Sequence, residues 1–136
     1  FQMFGAEWID ELDFADKLNA KKIPGVIFRP LKYKPYYGGH KGKNLGGVQL
    51  FITDYSKVNL MSIQFLVMEV NNELYPDKNP FKLAKKDRLD MFDKVCGSKT
   101  VREKFTKRMK YSDIKDFLDK DVEKFRELSS KYYLYN

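Results

Sequence analysis

The sequence predicts an α+β fold, with a small antiparallel sheet of two or three strands packed against about five helices. In the first half, two short segments with β-branched and aromatic residues flank a glycine-rich stretch, as in strands joined by a loop. In the second half, apolar residues recur at intervals of three and four, as in amphipathic helices. Because 136 residues with 43% hydrophobic content suit one core, residues 1–136 are predicted to form a single domain.

The first half is predicted to begin with a helix over residues 6–22, ended by Pro24-Gly25. Its inner face is expected to carry four apolar residues at helical spacing: Trp8, Leu12, Ala15 and Leu18. Residues 26–34 are predicted to form a strand in which side chains alternate between two sides, and residues 48–53 a second strand. The five glycines of residues 35–47 predict an exposed, comparatively mobile connection between these strands, which are expected to be antiparallel.

The second half is predicted to be helical. Helices are expected over residues 60–74 and 88–96, after a capping Ser98, and from Ser112 onward. The helix after Ser98 is expected to bury Val101, Phe105 and Met109. The last helix is expected to point five apolar residues inward: Ile114, Leu118, Val122, Phe125 and Leu128. The tail over residues 131–135 is compatible with a further short strand.

The positive charge is concentrated in one segment. Lys and Arg total 26 and Asp and Glu total 19, which gives a net charge of +7. Residues 21–45 hold seven of the cations and no acid, so the rest of the chain balances at 19 against 19. They are Lys21, Lys22, Arg29, Lys32, Lys34, Lys41 and Lys43. A localised positive field attracts anionic partners.

Several classes of site are excluded by residue type. One His and one Cys cannot form a structural zinc site or an internal disulfide, and no EF-hand loop is present, so no metal or cofactor is expected. The stretch from Gly38 to Gly47 is not a P-loop, because it leads into a strand and Lys43 is followed by Asn44. Cys96 is expected to be a buried, unreactive thiol. No apolar run is long enough to span a bilayer.

The candidate ligand site is the glycine- and tyrosine-rich loop with its flanking strands. Tyrosine rings can stack on a sugar or a base, lysine and arginine bind carboxylate or phosphate, and glycine lets a ligand approach the backbone. This unit also carries Tyr33 and Lys43. The residues predicted to bind substrate are Arg29, Tyr36, Tyr37, His40, Lys41, Asn44 and Gln49. A solvated hairpin, a nucleic-acid-binding module and a protein-interaction module remain as alternatives. Glycoside hydrolysis needs two carboxylates, and only Asp54 is expected near the loop, so the chain alone is predicted to be inactive.

Several runs of residues together resemble the bacterial exo-β-N-acetylmuramidase (NamZ-type) family, whose C-terminal region was long a domain of unknown function. They are Phe4–Ile9, Pro24-Gly25-Val26, Phe28-Arg29-Pro30, His40-Lys41-Gly42, Gly46-Gly47-Val48-Gln49, Thr53-Asp54, Leu74-Tyr75-Pro76, Cys96-Gly97-Ser98 and Tyr132-Tyr133-Leu134-Tyr135. The likeness covers nearly all of the chain in order. The start of the chain also leads us to expect a piece of a longer protein.

The resemblance implies a two-domain enzyme that removes terminal N-acetylmuramic acid from peptidoglycan fragments in the bacterial periplasm or outside the cell. This chain corresponds to the second domain, so the implied partners are a Rossmann-like N-terminal domain that holds the catalytic acid, and peptidoglycan fragments. Nucleic acid is not an implied partner. Matching loop residues add Gly46 and Gly47 to the predicted substrate-binding set, and no catalytic residue is carried over. Leu45 stands where a cysteine is expected, so no cysteine role is carried over there.

Overall fold

The structure is a computed structural model that describes residues 2–135. The chain consists of two compact units, Phe1–Leu83 and Ala84–Asn136. The first unit contains all the strands of the described residues. The second unit is helical. Residues 1–136 were predicted to form a single domain, and this stays a prediction. Phe1 and Asn136 lie outside the described residues.

A three-stranded antiparallel sheet forms the first unit's framework, which confirms the predicted fold class. Its strands are β1 (Met3–Ala6), β2 (Val26–Tyr33) and β3 (Leu45–Ile52), in the spatial order β1-β3-β2. The third strand therefore comes from the start of the chain. The tail expected to add a strand forms none over residues 131–135.

The first helix, α1 (Glu11–Ala20), begins later than predicted. The Asp10 side chain accepts hydrogen bonds from the backbone N–H groups of Leu12 and Asp13, both at 3.0 Å, and so caps the helix. Trp8 thus precedes the helix, and the predicted inner face is wrong in part, since Leu12 is 59% exposed. The buried face of α1 consists of Phe14, Ala15 and Leu18.

The predicted alternation is found at the start of β2, whereas most residues of β3 are buried without alternation. Val26 and Phe28 are buried, whereas Ile27, which lies between them, and Arg29, which follows, are exposed. At the outer edge of β2, the Asn19 side chain donates to the Phe28 carbonyl and accepts from the Phe28 N–H, each at 2.9 Å. This pair of bonds satisfies backbone groups that no further strand covers.

The predicted helix over residues 60–74 is found as α2 (Leu60–Leu74), capped by the Asn59 side chain. It packs with α1 against one face of the sheet, and the core so formed includes Phe14, Leu18, Val26, Phe28, Val48, Leu50, Ile63, Val67 and Val70. A 3₁₀ turn (Pro76–Lys78) and the short α3 (Pro80–Leu83) follow, and neither was predicted.

The second unit contains α4 (Lys86–Val95), α5 (Lys99–Phe105), a 3₁₀ turn (Tyr111–Asp113), α6 (Lys115–Asp119) and α7 (Val122–Ser130). Gly97 adopts a φ of 72° after α4, and the Ser98 hydroxyl caps α5, as expected. Val101, Phe105 and Met109 are buried as predicted, although α5 ends at Phe105 and Met109 lies beyond the helix; Ile114 is also buried.

The prediction of a single long helix at the end of the chain is wrong. The non-helical backbone of Asp121 separates α6 from α7, so the apolar stripe of the sequence is not continuous in space. Val122, Phe125 and Leu128, which were expected to point inward, are 42%, 68% and 54% exposed. Among the helices of residues 2–135, none has the length and apolar character that a membrane crossing requires.

Candidate functional site

The loop that carries the predicted site lies between β2 and β3. It is shorter than predicted, since Leu45, Gly46 and Gly47 already belong to β3. Backbone hydrogen bonds from Lys41 to Gly38 and from Gly42 to Pro35 fold it into turns. Both tight positions, Gly38 and Gly42, have positive φ, which glycine adopts without strain. The loop is exposed and joins antiparallel strands as predicted, and its mobility stays a prediction.

The loop tip is tied to Glu7, which precedes α1. Lys43 Nζ lies 2.8 Å from Glu7 Oε1, and His40 Nδ1 lies 3.3 Å from the same oxygen. The hydrogen bond from Lys43, with that from His40, holds the pKa of Glu7 below its ordinary value. Glu7 is therefore ionised at neutral pH and fixes the position of two residues of the loop.

An open cleft of about 700 Å³ lies at the base of this loop. It is bounded by the end of β2, the start of β3 and the segment that leads into α1. Its lining consists of Glu7, Trp8, Ile9, Asp10, Glu11, Lys32, Tyr33, Lys34, Asn44, Leu45 and Gly46. The cleft combines two aromatic rings with carboxylates, lysines and an amide, so it suits a polar ligand that has an apolar face.

Three carboxylates line this cleft, which corrects the expectation that only Asp54 lies near the loop. Asp10 is engaged as the cap of α1. Glu11 is 3.0 Å from Lys32 Nζ, and Glu7 pairs with Lys43. Sequence reasoning missed these acids because they precede the loop by about thirty positions, and only the pairing of β1 with β3 brings them close.

These ion pairs also reduce the positive field of the basic segment. Lys21 Nζ lies 2.9 Å from Glu69, and Lys32 and Lys43 bind acids of the cleft. Three of its seven cations are therefore partly neutralised. Fewer cations remain available for a run of phosphates, as a nucleic acid would require.

Eight of the nine predicted site residues fall into three groups, and the ninth, Gly47, is buried within β3. Tyr36, Tyr37, His40 and Lys41 are exposed on the loop, and Lys41 Nζ lies 5.7 Å from the centre of the Tyr36 ring. Asn44 lines the cleft, as does Gly46. These two groups share the loop and its base.

Arg29 and Gln49 form the third group and lie elsewhere on the sheet. They are direct partners across β2 and β3, and Arg29 lies 5.3 Å from the centre of the Phe51 ring. Because Phe28 faces the helices, its neighbour Arg29 points to the opposite face of the sheet. The structure therefore does not bring this pair into the cleft lining of the described residues.

Gly46 and Gly47 are buried within β3 and have a packing role. A Cβ atom on Gly46 would overlap the carbonyl oxygen of Ile9, and one on Gly47 would overlap that of Phe4. Similarly, a Cβ on Gly5 would lie 2.8 Å from the Tyr33 ring. The glycines thus allow β1 and the following segment to approach β3 closely, which forms one wall of the cleft.

A second, more apolar cavity of about 400 Å³ adjoins the cleft. Both cavities are lined by Trp8, Ile9 and Tyr33, and His40 lies at the second one. Burial raises the pKa of the Tyr33 hydroxyl, which therefore remains a neutral hydrogen-bonding group. Within residues 2–135, no group of three His, Cys, Asp or Glu side chains is arranged to hold a metal ion.

The chain is similar to known proteins over nearly all of its length. A family model described as "Exo-beta-N-acetylmuramidase NamZ, C-terminal" matches residues 1–135. The chain is similar to peptidoglycan beta-N-acetylmuramidase NamZ of Bacillus subtilis (strain 168), with 28% identity over 135 residues, which are 99% of this chain and 31% of that protein.

The chain is also similar to a protein of solved structure. The crystal structure of a DUF1343 family protein from Bacteroides fragilis NCTC 9343 matches with a TM-score of 0.95 and 49% identity, covering 99% of this chain and 35% of that one. The chain thus spans about a third of the length of the relatives it matches.

Proposed function

Since this chain belongs to the family of C-terminal domains of exo-β-N-acetylmuramidase NamZ, we propose that it forms one wall of the substrate cleft in a peptidoglycan-degrading glycoside hydrolase. The enzyme would release terminal N-acetylmuramic acid from muropeptides. The main support for this proposal is the 700 Å³ cleft beside the loop. The family model matches residues 1–135, which include all the residues that line this cleft.

The chemistry of the cleft suits this sugar. N-acetylmuramic acid has a pyranose ring with an apolar face and a lactyl group with a carboxylate. Trp8 and Tyr33 offer aromatic surface, and Asn44 offers an amide for hydroxyl or acetamido groups. Lys34 lines the cleft and Lys41 lies on the loop, and neither has a carboxylate partner among the described residues. These lysines are our candidates for binding the lactyl carboxylate.

The catalytic acid is proposed to lie outside this chain. A general acid for glycoside hydrolysis needs a raised pKa, so that it is protonated at working pH. The pKa of Glu7 is shifted in the opposite direction, by Lys43 and then His40. Asp10 is engaged in capping and Glu11 in its pair with Lys32. We therefore propose that an N-terminal domain of the same protein is the partner that completes the site.

The substrate also suggests where the protein acts. Peptidoglycan fragments are found in the bacterial periplasm and outside the cell, and we propose one of these compartments as the location.

Activity on a chromogenic N-acetylmuramide tests the proposal. The two-domain protein and this chain alone are assayed side by side, with the matching N-acetylglucosaminide as the control substrate. We expect turnover of the muramide by the two-domain protein only. Turnover by this chain alone that survives repurification would show that its own carboxylates are catalytic. A two-domain protein that does not hydrolyse the muramide would overturn the proposed substrate.

A further inference from the structure

Trp8 is the single tryptophan of the chain and borders both cavities of the first unit. The sequence pattern assigned it to the inner face of a helix. In the structure it precedes α1 and is partly buried, and it lines the cleft.

Trp8 is held by neighbours from α2 and from the turn that follows. Its indole Nε1 donates a hydrogen bond of 3.0 Å to Asn71 Oδ1. Asn71 is itself buried, and its Nδ2 donates to the Lys78 carbonyl at 2.9 Å. Lys78 Nζ lies 5.8 Å from the centre of the Trp8 ring. The indole is therefore fixed at its polar edge and covered by a cation on one side.

The 700 Å³ cleft also borders Trp8. Among the described residues, Lys78 lines the 400 Å³ cavity and is not part of the lining of the 700 Å³ cleft, whereas Trp8 lines both. A ligand in the cleft thus lies beside a residue whose ring is already oriented by Asn71 and Lys78. By contrast, Tyr36 and Tyr37 are 86% and 83% exposed on the loop, and a ligand would have to immobilise them.

We propose that Trp8 is the platform on which the pyranose ring of the ligand stacks, and that Asn71 is the positioning residue that orients it. The inference rests on the proposed function and adds a sugar subsite to it. A pyranose presents an apolar face of C–H groups, which packs against an aromatic ring without a directional partner. The lysines of the loop and cleft would then bind the carboxylate beside it.

The single tryptophan makes a direct binding test possible. The chain is titrated with N-acetylmuramic acid, and Trp8 fluorescence and its quenching by acrylamide are recorded. We expect a saturable fluorescence change and protection from acrylamide. Sodium lactate, which has the carboxylate and no sugar ring, should produce neither. A fluorescence signal that does not change at saturating N-acetylmuramic acid would overturn the platform.

Kinetics of the two-domain protein test the same assignment. Trp8→Leu should raise KM for the muramide roughly three- to tenfold and leave kcat within about twofold, because stacking binds ground state and transition state alike. Trp8→Tyr keeps an aromatic ring and should restore most of the affinity. Tyr55→Leu removes an exposed aromatic residue outside both cavities and is the matched control.

The role of Asn71 follows from a double-mutant cycle. Asn71→Leu should raise KM as Trp8→Leu does, and the double variant should be no worse than Trp8→Leu, since Asn71 acts through the indole. Additive effects would overturn the positioning role. An unchanged KM in Trp8→Leu would overturn the platform and leave the proposed function standing. An unsubstituted protein without muramidase activity would overturn both.

Discussion

Replacing Gly46 with alanine tests whether this glycine serves the sheet or the ligand. A Cβ atom there would overlap the Ile9 carbonyl oxygen and lie 3.3 Å from Glu11 Oε2. Because Ile9 directly precedes the capping Asp10, relieving the overlap displaces the start of α1 as well as the junction of β1 and β3. Overpacking and a disturbed cap together cost about 2–4 kcal/mol of unfolding free energy.

Thermal unfolding followed by circular dichroism measures this loss, which should lower Tm by roughly 6–15 °C. Gly39→Ala is the matched control, since a Cβ there meets no atom within 4 Å, and its free energy of unfolding should change by at most about 0.5 kcal/mol. If Gly46→Ala is as stable as Gly39→Ala and loses only ligand binding, the packing explanation is refuted and the glycine contacts the ligand.

Three further predictions concern single side chains. The hydrogen bond from Lys43 lowers the pKa of Glu7 in the folded state, so ionised Glu7 should stabilise the fold above the ordinary glutamate pKa and lose this effect as pH falls through the lowered pKa. The Tm of Glu7→Gln should therefore approach that of the unsubstituted chain in acid. A difference in Tm that stays constant with pH would contradict this. Asn19→Ala removes the hydrogen-bond partners of both the N–H and the carbonyl group of Phe28, and should lower the unfolding free energy by about 1–3 kcal/mol in urea titrations. An unchanged urea midpoint would show that these two hydrogen bonds do not stabilise the fold. Burial raises the pKa of the Cys96 thiol, so its reaction with a thiol reagent at pH 7.5 should be slower than that of free cysteine, and an equal rate would show an accessible thiol.

Local patterns in the sequence determined much of the framework. The helix α2 has its predicted bounds because Asn59 supplies a cap, apolar residues recur at helical spacing and Pro76 prevents continuation. The alternation in β2 placed Val26 and Phe28 on the same side of the strand, and both lie in the core. These signals act over a few residues, so they can be read without knowledge of the fold.

Of the candidate site, the sequence supplied the exposed loop and its tyrosines, lysines and histidine. It did not supply the cleft, because helical spacing extended the predicted helix back to residue 6, over the segment that forms the other wall. Residues 3–6 become a strand only by pairing with β3, and Asp10 decides where α1 begins. A helix starting at residue 11 turns Leu12 to solvent and leaves Trp8 beside the cavities.

The charges of the site show the same division. The sequence determined that the loop is basic, but the structure decided that Glu7 binds Lys43 and His40 across 36 and 33 positions. This contact depends on Gly46 and Gly47, whose missing side chains let the start of the chain lie against β3. Periodicity and capping follow from neighbouring residues, whereas the fit of two distant backbone segments depends on the space between them, which only the tertiary structure specifies.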